Sequence, residues 1–366
     1  MAFGFFKKKE QERTPGEHYY TLTVKEIVKE TPDTITIVFD QPDPPINYKT
    51  GQFLSLILNI EGREVRRSYS LCSSPYVDED LAVTVKRVEN GLVSNHLNDV
   101  TTPGDKIRIM GPMGNFTTEF SKDKKRHIIM FGGGSGITPL MSIIKSTIHA
   151  EPDSIGTLIY ANRNIDSIIF KDQLDKLQTD YEGRFRVIYI LDDAPINWQG
   201  HSGLLSHEML NKLFERMPNW GLDNTVYLMC GPEGMMNNVQ TLLDQQSIPP
   251  DKIFKESFVA GIIGKEDKKE DTEEIQPQDV TVIYDGEEYN FTVKPDSTIL
   301  DTALDQDIDL PFSCQSGLCT ACRGKLISGK VKMDEEEGLS ESEMEQGYVL
   351  LCVGHPLTDD VKIEIG

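Results

Sequence analysis

The feature that most constrains this chain is the placement of its cysteines. Cys314, Cys319 and Cys322 lie in the loop-like text CQSGLCTACRG, and Cys352 follows 30 positions after Cys322 at the end of the apolar run YVLLC. Six cysteines in 366 residues are too sparse for a disulfide scaffold, yet four of them fall between Cys314 and Cys352. That crowding points to a metal rather than to staples.

The spacing C-x4-C-x2-C with a distant fourth cysteine is the plant-type [2Fe–2S] arrangement. Four thiolates are needed because each iron takes two protein sulfurs. Ser316, Gly317, Thr320 and Ala321 are small or polar, so backbone N–H groups can approach the sulfurs and tune the potential. The alternative is a four-cysteine zinc site. Zinc sites usually pair two short C-x2–4-C knuckles, whereas here one C-x2-C stands with a lone distant cysteine. The expected metal ligands are Cys314, Cys319, Cys322 and Cys352.

The length of 366 residues suits two or three domains, each with its own core. With 37 Lys and Arg against 59 Asp and Glu the net charge is −22. This argues against nucleic acid or an anionic membrane as partner, since both would be repelled. The start, MAFGFFKKKEQERTPGE, has too few apolar residues ahead of its Lys run for a secretory signal. Residues 1–14 read as a mobile tail. The charge-free run from Ile128 to Ile144 contains four Gly and a Pro, so it reads as strand, loop and helix rather than a membrane span. A cytoplasmic location, which keeps thiols reduced, is the expectation.

From Tyr19 to about Phe120 the text runs in short alternating stretches such as TITIVF, FLSLIL, LAVTVKRV and KIRIM, separated by Pro, Gly and Asp. Close-spaced strands predict an antiparallel β-barrel over 15–120. From His127 strands alternate with helices: HIIMF, PLMSIIKSTI, TLIYANR, FKDQLDKLQTDY, FRVIYIL, SHEMLNKLF, TVYLMCG and MMNNVQTLLDQQ. That order predicts an α/β doubly wound parallel sheet over 121–260. The charged segment 261–278 reads as an acidic linker. A third, α+β domain then spans 279–366, opening with a hairpin at Asp285-Gly286 and a helix capped by Ser297 or Asp296.

Two segments of the first domain carry a chemical signal. Arg66-Arg67-Ser68-Tyr69-Ser70 contains R-x-Y-S at a strand end, and Gly91-Leu92-Val93-Ser94 reads as a Gly turn into a short helix. The N-terminal amides of such a helix can hold a pyrophosphate. In the second domain, Gly132-Gly133-Gly134-Ser135-Gly136-Ile137-Thr138-Pro139 follows a buried strand and opens a helix. Its glycines let the backbone close on a pyrophosphate, and Pro139 suits the first helical turn. The last strand ends in Cys230-Gly231-Pro232-Glu233-Gly234-Met235. Both segments fall at carboxyl ends of strands, where such sheets bind ligands.

Together these motifs resemble the ferredoxin–NADP reductase family, whose R-x-Y-S and G-x-x-S motifs bind flavin and whose C-G-P-x-G-M places a cysteine beside the nicotinamide. The resemblance implies that Arg67 pairs a flavin phosphate, Tyr69 lies against the isoalloxazine and Ser70 sits near flavin N5. It places Lys86, Gly91 and Ser94 with the flavin, and Gly133, Gly134, Gly136, Thr138, Pro139, Arg163, Cys230, Gly231 and Pro232 with the nicotinamide nucleotide. Ser70 and Cys230 become the candidate catalytic residues. FAD is the implied flavin, with FMN as the alternative. NADH and NADPH both remain open, because Arg163 would suit a 2′-phosphate and Asp166 would oppose one.

The domain order resembles the reductase components of oxygenase systems that carry a C-terminal β-grasp ferredoxin domain. It implies electron flow from NAD(P)H through FAD to a [2Fe–2S] cluster and on to a partner oxygenase or other acceptor. The rival readings are a stand-alone NAD(P)H oxidase or acceptor reductase, and an electron-carrier component of a larger complex. Residues 279–366 hold 19 acidic against 6 basic side chains, a net −13, which predicts docking onto a basic acceptor surface. Arg323, next to the cluster, reads as solvating its loop, with tuning of the cluster's potential as the alternative, and Cys72 has no assigned role.

Overall fold

The computed structural model describes residues 19–258 and 276–366, apart from 296, 316, 318 and 335–337. The N-terminal tail, residues 261–275 of the linker, the candidate cap Asp296 and Ser316 lie outside the described residues.

The first domain contains β1 (Tyr19–Thr31), β2 (Thr34–Phe39), β3 (Phe53–Ile60), β4 (Arg63–Ser70), β5 (Leu81–Lys86), α1 (Leu92–Val100) and β6 (Lys106–Met113). The strands form one antiparallel sheet in the order β4-β3-β6-β1-β2-β5. Alternation sends Leu22, Val24, Ile37, Leu54, Leu56, Val83 and Ile109 to a shared interior, against which Val93 and Leu97 of α1 pack. Just past the end of β4 the chain bridges the other edge strand, Leu71 with Val83, so the sheet curls on itself without continuous strand pairing across that seam.

The second domain contains β7 (His127–Gly133), α2 (Ile137–Ala150), β8 (Ile155–Asn162), α3 (Lys171–Asp180), β9 (Phe185–Leu191), β10 (His201–Ser202), α4 (His207–Phe214), β11 (Thr225–Cys230), α5 (Glu233–Gln245) and β12 (Ile253–Glu256). All its pairings are parallel, in the order β10-β9-β8-β7-β11-β12. Every residue of β7 is buried, because helices cover both faces of such a sheet. Ile128 and Met130 pack with α2 and α3, whereas Ile129 and Phe131 pack with α4 and α5.

Helix α2 also abuts the first domain. Its Ser142 hydroxyl donates to the Ser73 carbonyl at 2.5 Å, and Ser146 shares hydrogen bonds with Thr50 and Ser74. Cys72 belongs to this junction: it is 3% exposed, packs in the same apolar cluster as α2, and its sulfur accepts from Thr84 Oγ1 at 3.3 Å. The residue without an assigned role is thus a core residue between two domains.

The third domain contains β13 (Gln278–Tyr284), β14 (Glu287–Val293), α6 (Ile299–Asp305), β15 (Arg323–Ser328), β16 (Val331–Met333), α7 (Glu341–Glu345), β17 (Tyr348–Leu350), β18 (Gly354–Pro356) and β19 (Val361–Ile365). The main sheet runs β14-β13-β19-β15-β17, with β13 and β19 parallel and the rest antiparallel. Asp285 and Gly286 form the hairpin turn with φ of +52° and +81°, the left-handed pair this turn requires. The cap of α6 differs from the sequence expectation. Thr298, not Ser297 or Asp296, accepts the Asp301 N–H at 3.1 Å, because the helix starts at Ile299 and the cap is the extended residue just before it.

Candidate active site

Chain order reverses between β7 and β11, since β8 and β9 extend the sheet on one side and β12 on the other. Beyond the carboxyl ends of strands at such a reversal lies the ligand crevice of an open parallel sheet. Both nucleotide-type segments end there. A Cβ on Gly136 would stand 2.0 Å from the Cys230 carbonyl oxygen, and one on Gly133 would stand 2.4 Å from Pro232 Cδ. The two segments therefore touch through their glycines, and Gly231 closes on Gly133 in the same way. A bare backbone at the start of α2 is what a pyrophosphate needs.

Gly134 has φ of +51°, and its carbonyl accepts a hydrogen bond from the buried Tyr160 hydroxyl at 2.9 Å. Thr138 Oγ1 donates to the Ser135 carbonyl at 3.0 Å, tightening the turn ahead of Pro139. Pro232 is the N-cap of α5. Arg163 is exposed just after β8, where its carbonyl accepts the Asp193 N–H at 2.7 Å.

Sequence reasoning missed Glu256. It ends β12, where it is the register partner of Cys230 on β11, and it accepts a hydrogen bond from Ser70 Oγ at 3.2 Å. The two candidate catalytic residues thus converge on one carboxyl group. Burial pushes that carboxyl up to about 8, against the opposing hydrogen bond from Ser70. Burial likewise raises the Cys230 thiol well above its usual range, with Glu256 adding to the effect. The only sequence signal for Glu256 is a carboxylate closing a short strand that follows the last helix of the sheet.

On the flavin side, Arg67 is exposed, makes no ion pair among the described residues, and places one guanidinium nitrogen 2.7 Å from the Arg66 carbonyl. Its other donors can meet a phosphate. Tyr69, two positions on, is half-buried beside the barrel interior. Gly91 begins α1 with no side-chain cap and no acidic residue in the first turn, so the helix end can receive an anion. Ser94 is buried and its hydroxyl accepts the Val88 N–H at 3.0 Å, which folds the loop ahead of α1. Lys86 lies 3.7 Å from Asp33 in an ion pair.

None of the six cysteines is in a disulfide. Cys352 lies within hydrogen-bond reach of Cys314 and Cys322, and Cys319 within reach of Cys314. These contacts raise the thiols of Cys319 and Cys352, since adjacent sulfurs resist becoming anionic together. A cationic iron centre removes that resistance. The four sulfurs form one contiguous group, the number of thiolates that two irons take. Gly317 N–H points at Cys352 Sγ at 3.4 Å. The donor set fits a [2Fe–2S] cluster.

Arg323 does not solvate the loop. Its guanidinium pairs with Glu343, stacks 4.3 Å over the Tyr348 ring, and is 17% exposed. Ser313, just before Cys314, accepts hydrogen bonds from Ser68 at 2.8 Å and Ser55 at 3.1 Å in the first domain.

This fold and these sites define a flavin- and iron–sulfur-containing NAD(P)H oxidoreductase. Models of the oxidoreductase FAD-binding domain, the oxidoreductase NAD-binding domain and the 2Fe-2S iron-sulfur cluster binding domain match residues 20–118, 130–241 and 282–357. The chain is 33% identical over 350 residues to a component of the 1,2-phenylacetyl-CoA epoxidase of Escherichia coli (strain K12), covering 94% of this chain and 97% of that one. It is 35% identical over 366 residues to the 3-ketosteroid-9-alpha-monooxygenase ferredoxin reductase component of Mycobacterium tuberculosis (strain ATCC 25618 / H37Rv), covering 95% and 96%. Phthalate dioxygenase reductase shares the fold with a TM-score of 0.59 at 22% identity, over 96% of this chain and 100% of that one. The chain belongs to the ferredoxin–NADP reductase family, in the branch of oxygenase reductase components with a C-terminal [2Fe–2S] domain. No helix among the described residues is long and apolar enough to cross a membrane.

Proposed function

We propose that this protein is the electron-supplying reductase of an oxygenase system, taking electrons from NAD(P)H and delivering them through FAD and a [2Fe–2S] cluster to a partner oxygenase. The observation that carries the reading is that β4 touches both other domains: Ser70 meets Glu256 of the nicotinamide domain, and Ser68 meets Ser313 beside the cluster loop. One strand thus joins the input and output ends. The names of the relatives, both components of oxygenase systems, support the choice of partner.

When bound, the flavin accepts a hydride and gives electrons up singly, which matches a two-electron nicotinamide to a one-electron cluster. The remaining work belongs to side chains. Gly133, Gly134, Gly136 and Gly231 clear the backbone for the pyrophosphate, while Thr138 and Pro139 shape the helix start. Arg163 faces the adenosine end. Cys230, buried at the end of β11, would pack beside the nicotinamide and exclude water. Ser70 and Glu256 form a hydrogen-bonded pair beside Cys230, where the nicotinamide would meet the flavin. Arg67, Lys86, Gly91 and Ser94 form the flavin phosphate end, and Tyr69 backs the ring. Cys314, Cys319, Cys322 and Cys352 hold the irons. The domain division at about 120, 260 and 279 follows from these assignments.

The net −13 of residues 279–366 supports docking onto a basic surface of the oxygenase. The test is reconstitution. NAD(P)H oxidation coupled to product formation should appear when the cognate oxygenase is added, with an association rate that falls as salt rises. Rapid oxygen consumption by the reductase alone would favour an oxidase instead, and a salt-independent rate would remove the docking claim.

A further inference from the structure

Alternation along β4 places Arg66, Ser68 and Ser70 on one face, and each touches another domain. Ser70 meets Glu256, while Ser68 and its cross-strand partner Ser55 both donate to Ser313. Arg66 lies 4.3 Å over the Phe312 ring and 3.5 Å from Asp309 Oδ1. At about 3.3 Å per residue, same-face neighbours on a strand stand about 7 Å apart. The ferredoxin and nicotinamide domains therefore attach to adjacent same-face positions of a single strand.

The two kinds of contact to the ferredoxin domain differ in character. The outer ones are charged and partly solvated: Arg66 with Asp309, Tyr19 with Asp309 at 3.0 Å, and Asn115 with Glu343 at 2.9 Å. Salt weakens the ionic members of this set. The inner one is a trio of hydroxyls in which Ser55 and Ser313 are 0% and 2% exposed and Ser68 is half-buried. Buried hydroxyls are tolerated when bonded, and the two hydrogen bonds onto Ser313 hold it, with the neighbouring Cys314, against β3 and β4.

We propose that Ser313 is a positioning residue for electron transfer into the cluster, holding the first cluster ligand against β4. The inference rests on the reading of Cys314, Cys319, Cys322 and Cys352 as ligands and of Tyr69 and Ser70 as flavin contacts. Tunnelling falls off exponentially with distance, so a docking contact one residue from a ligand sets the rate without altering either potential. For each NAD(P)H oxidised to NAD(P)+, two electrons cross one at a time. The first crossing takes one ferric iron of the cluster to ferrous, and a one-electron acceptor such as cytochrome c returns it to ferric. The second crossing repeats the step, so two acceptor molecules are reduced and the proton of the hydride is released to solvent.

The test uses the full-length holoprotein and its Ser313→Ala variant. Cytochrome c reduction, which draws on the cluster, should fall about tenfold or more, while ferricyanide reduction, which draws on the flavin, stays within twofold. Cluster absorption and its electron paramagnetic resonance signal should be unchanged, and amide hydrogen exchange across Leu54–Ser70 should speed up. Ser68→Ala, which lies outside the cluster loop, should reproduce both effects and serves if Ser313→Ala loses its cluster. Unchanged cytochrome c reduction together with unchanged exchange overturns the proposal. Cys319→Ser separates the two levels: if it too leaves cytochrome c reduction intact, the relay itself is wrong, whereas its loss beside an unaffected Ser313→Ala sinks only the role of Ser313.

Discussion

Ser70 Oγ donates to Glu256 Oε2 at 3.2 Å across the seam between the flavin and nicotinamide domains. The contact joins the end of β4 to the end of β12, and the register places Cys230 next to Glu256. A carboxyl in this position stands beside both residues that the sequence motifs single out.

The Glu256 carboxyl gives a pH test. Burial raises it from an ordinary 4.5 to about 8, so the folded protein keeps a proton that the unfolded chain loses. The contribution of this group to stability is therefore full below about pH 4.5, falls as pH rises, and is lost above about pH 8. Glu256→Gln, neutral throughout, should flatten the decline of Tm between those limits, measured by thermal denaturation at a series of pH values. A slope equal to that of the parent protein would refute a carboxyl held protonated by the folded structure.

Gly136 tests the nucleotide crevice. A methyl group there would meet the Cys230 carbonyl at 2.0 Å, forcing the start of α2 away from β11. Gly136→Ala should cost about 1–3 kcal/mol of stability and weaken nicotinamide nucleotide binding at least tenfold, read by calorimetry, while flavin content holds. Unchanged binding would place the nucleotide elsewhere.

Arg67→Ala should release flavin, because a charge-assisted hydrogen bond to phosphate contributes about 1.5–3 kcal/mol. The check is the ratio of flavin to protein after gel filtration. A variant that retains its full complement removes Arg67 from the phosphate site.

Cys230→Ser should slow hydride transfer in stopped flow with little change in flavin content. The thiol is fully buried, so an altered melting temperature with an unaltered rate would assign it to packing alone.

Much of this was legible in the residues, and the exceptions have physical causes. The cysteine spacing, the Gly-rich turn after a fully buried strand and the Asp285-Gly286 hairpin are local signals, each tied to a backbone geometry or ligand count. Glu256, Ser313 and Arg323 were not legible as such. Glu256 matters through pairing with Cys230, distant in sequence, and Ser313 through contacts with Ser55 and Ser68 in another domain. Arg323 looked solvent-facing until Glu343 and Tyr348 folded against it. Thr298 displaced two earlier capping candidates because helix starts are uncertain by a residue or two.

The order of electron flow is tested most directly by anaerobic single-turnover stopped flow of the full-length holoprotein, mixed with one equivalent of NADH or NADPH and followed at flavin and cluster wavelengths. Flavin bleaching should come first and cluster bleaching after it, with the second phase absent in Cys319→Ser. Cluster reduction that precedes flavin reduction, or that never occurs in the intact protein, would contradict it.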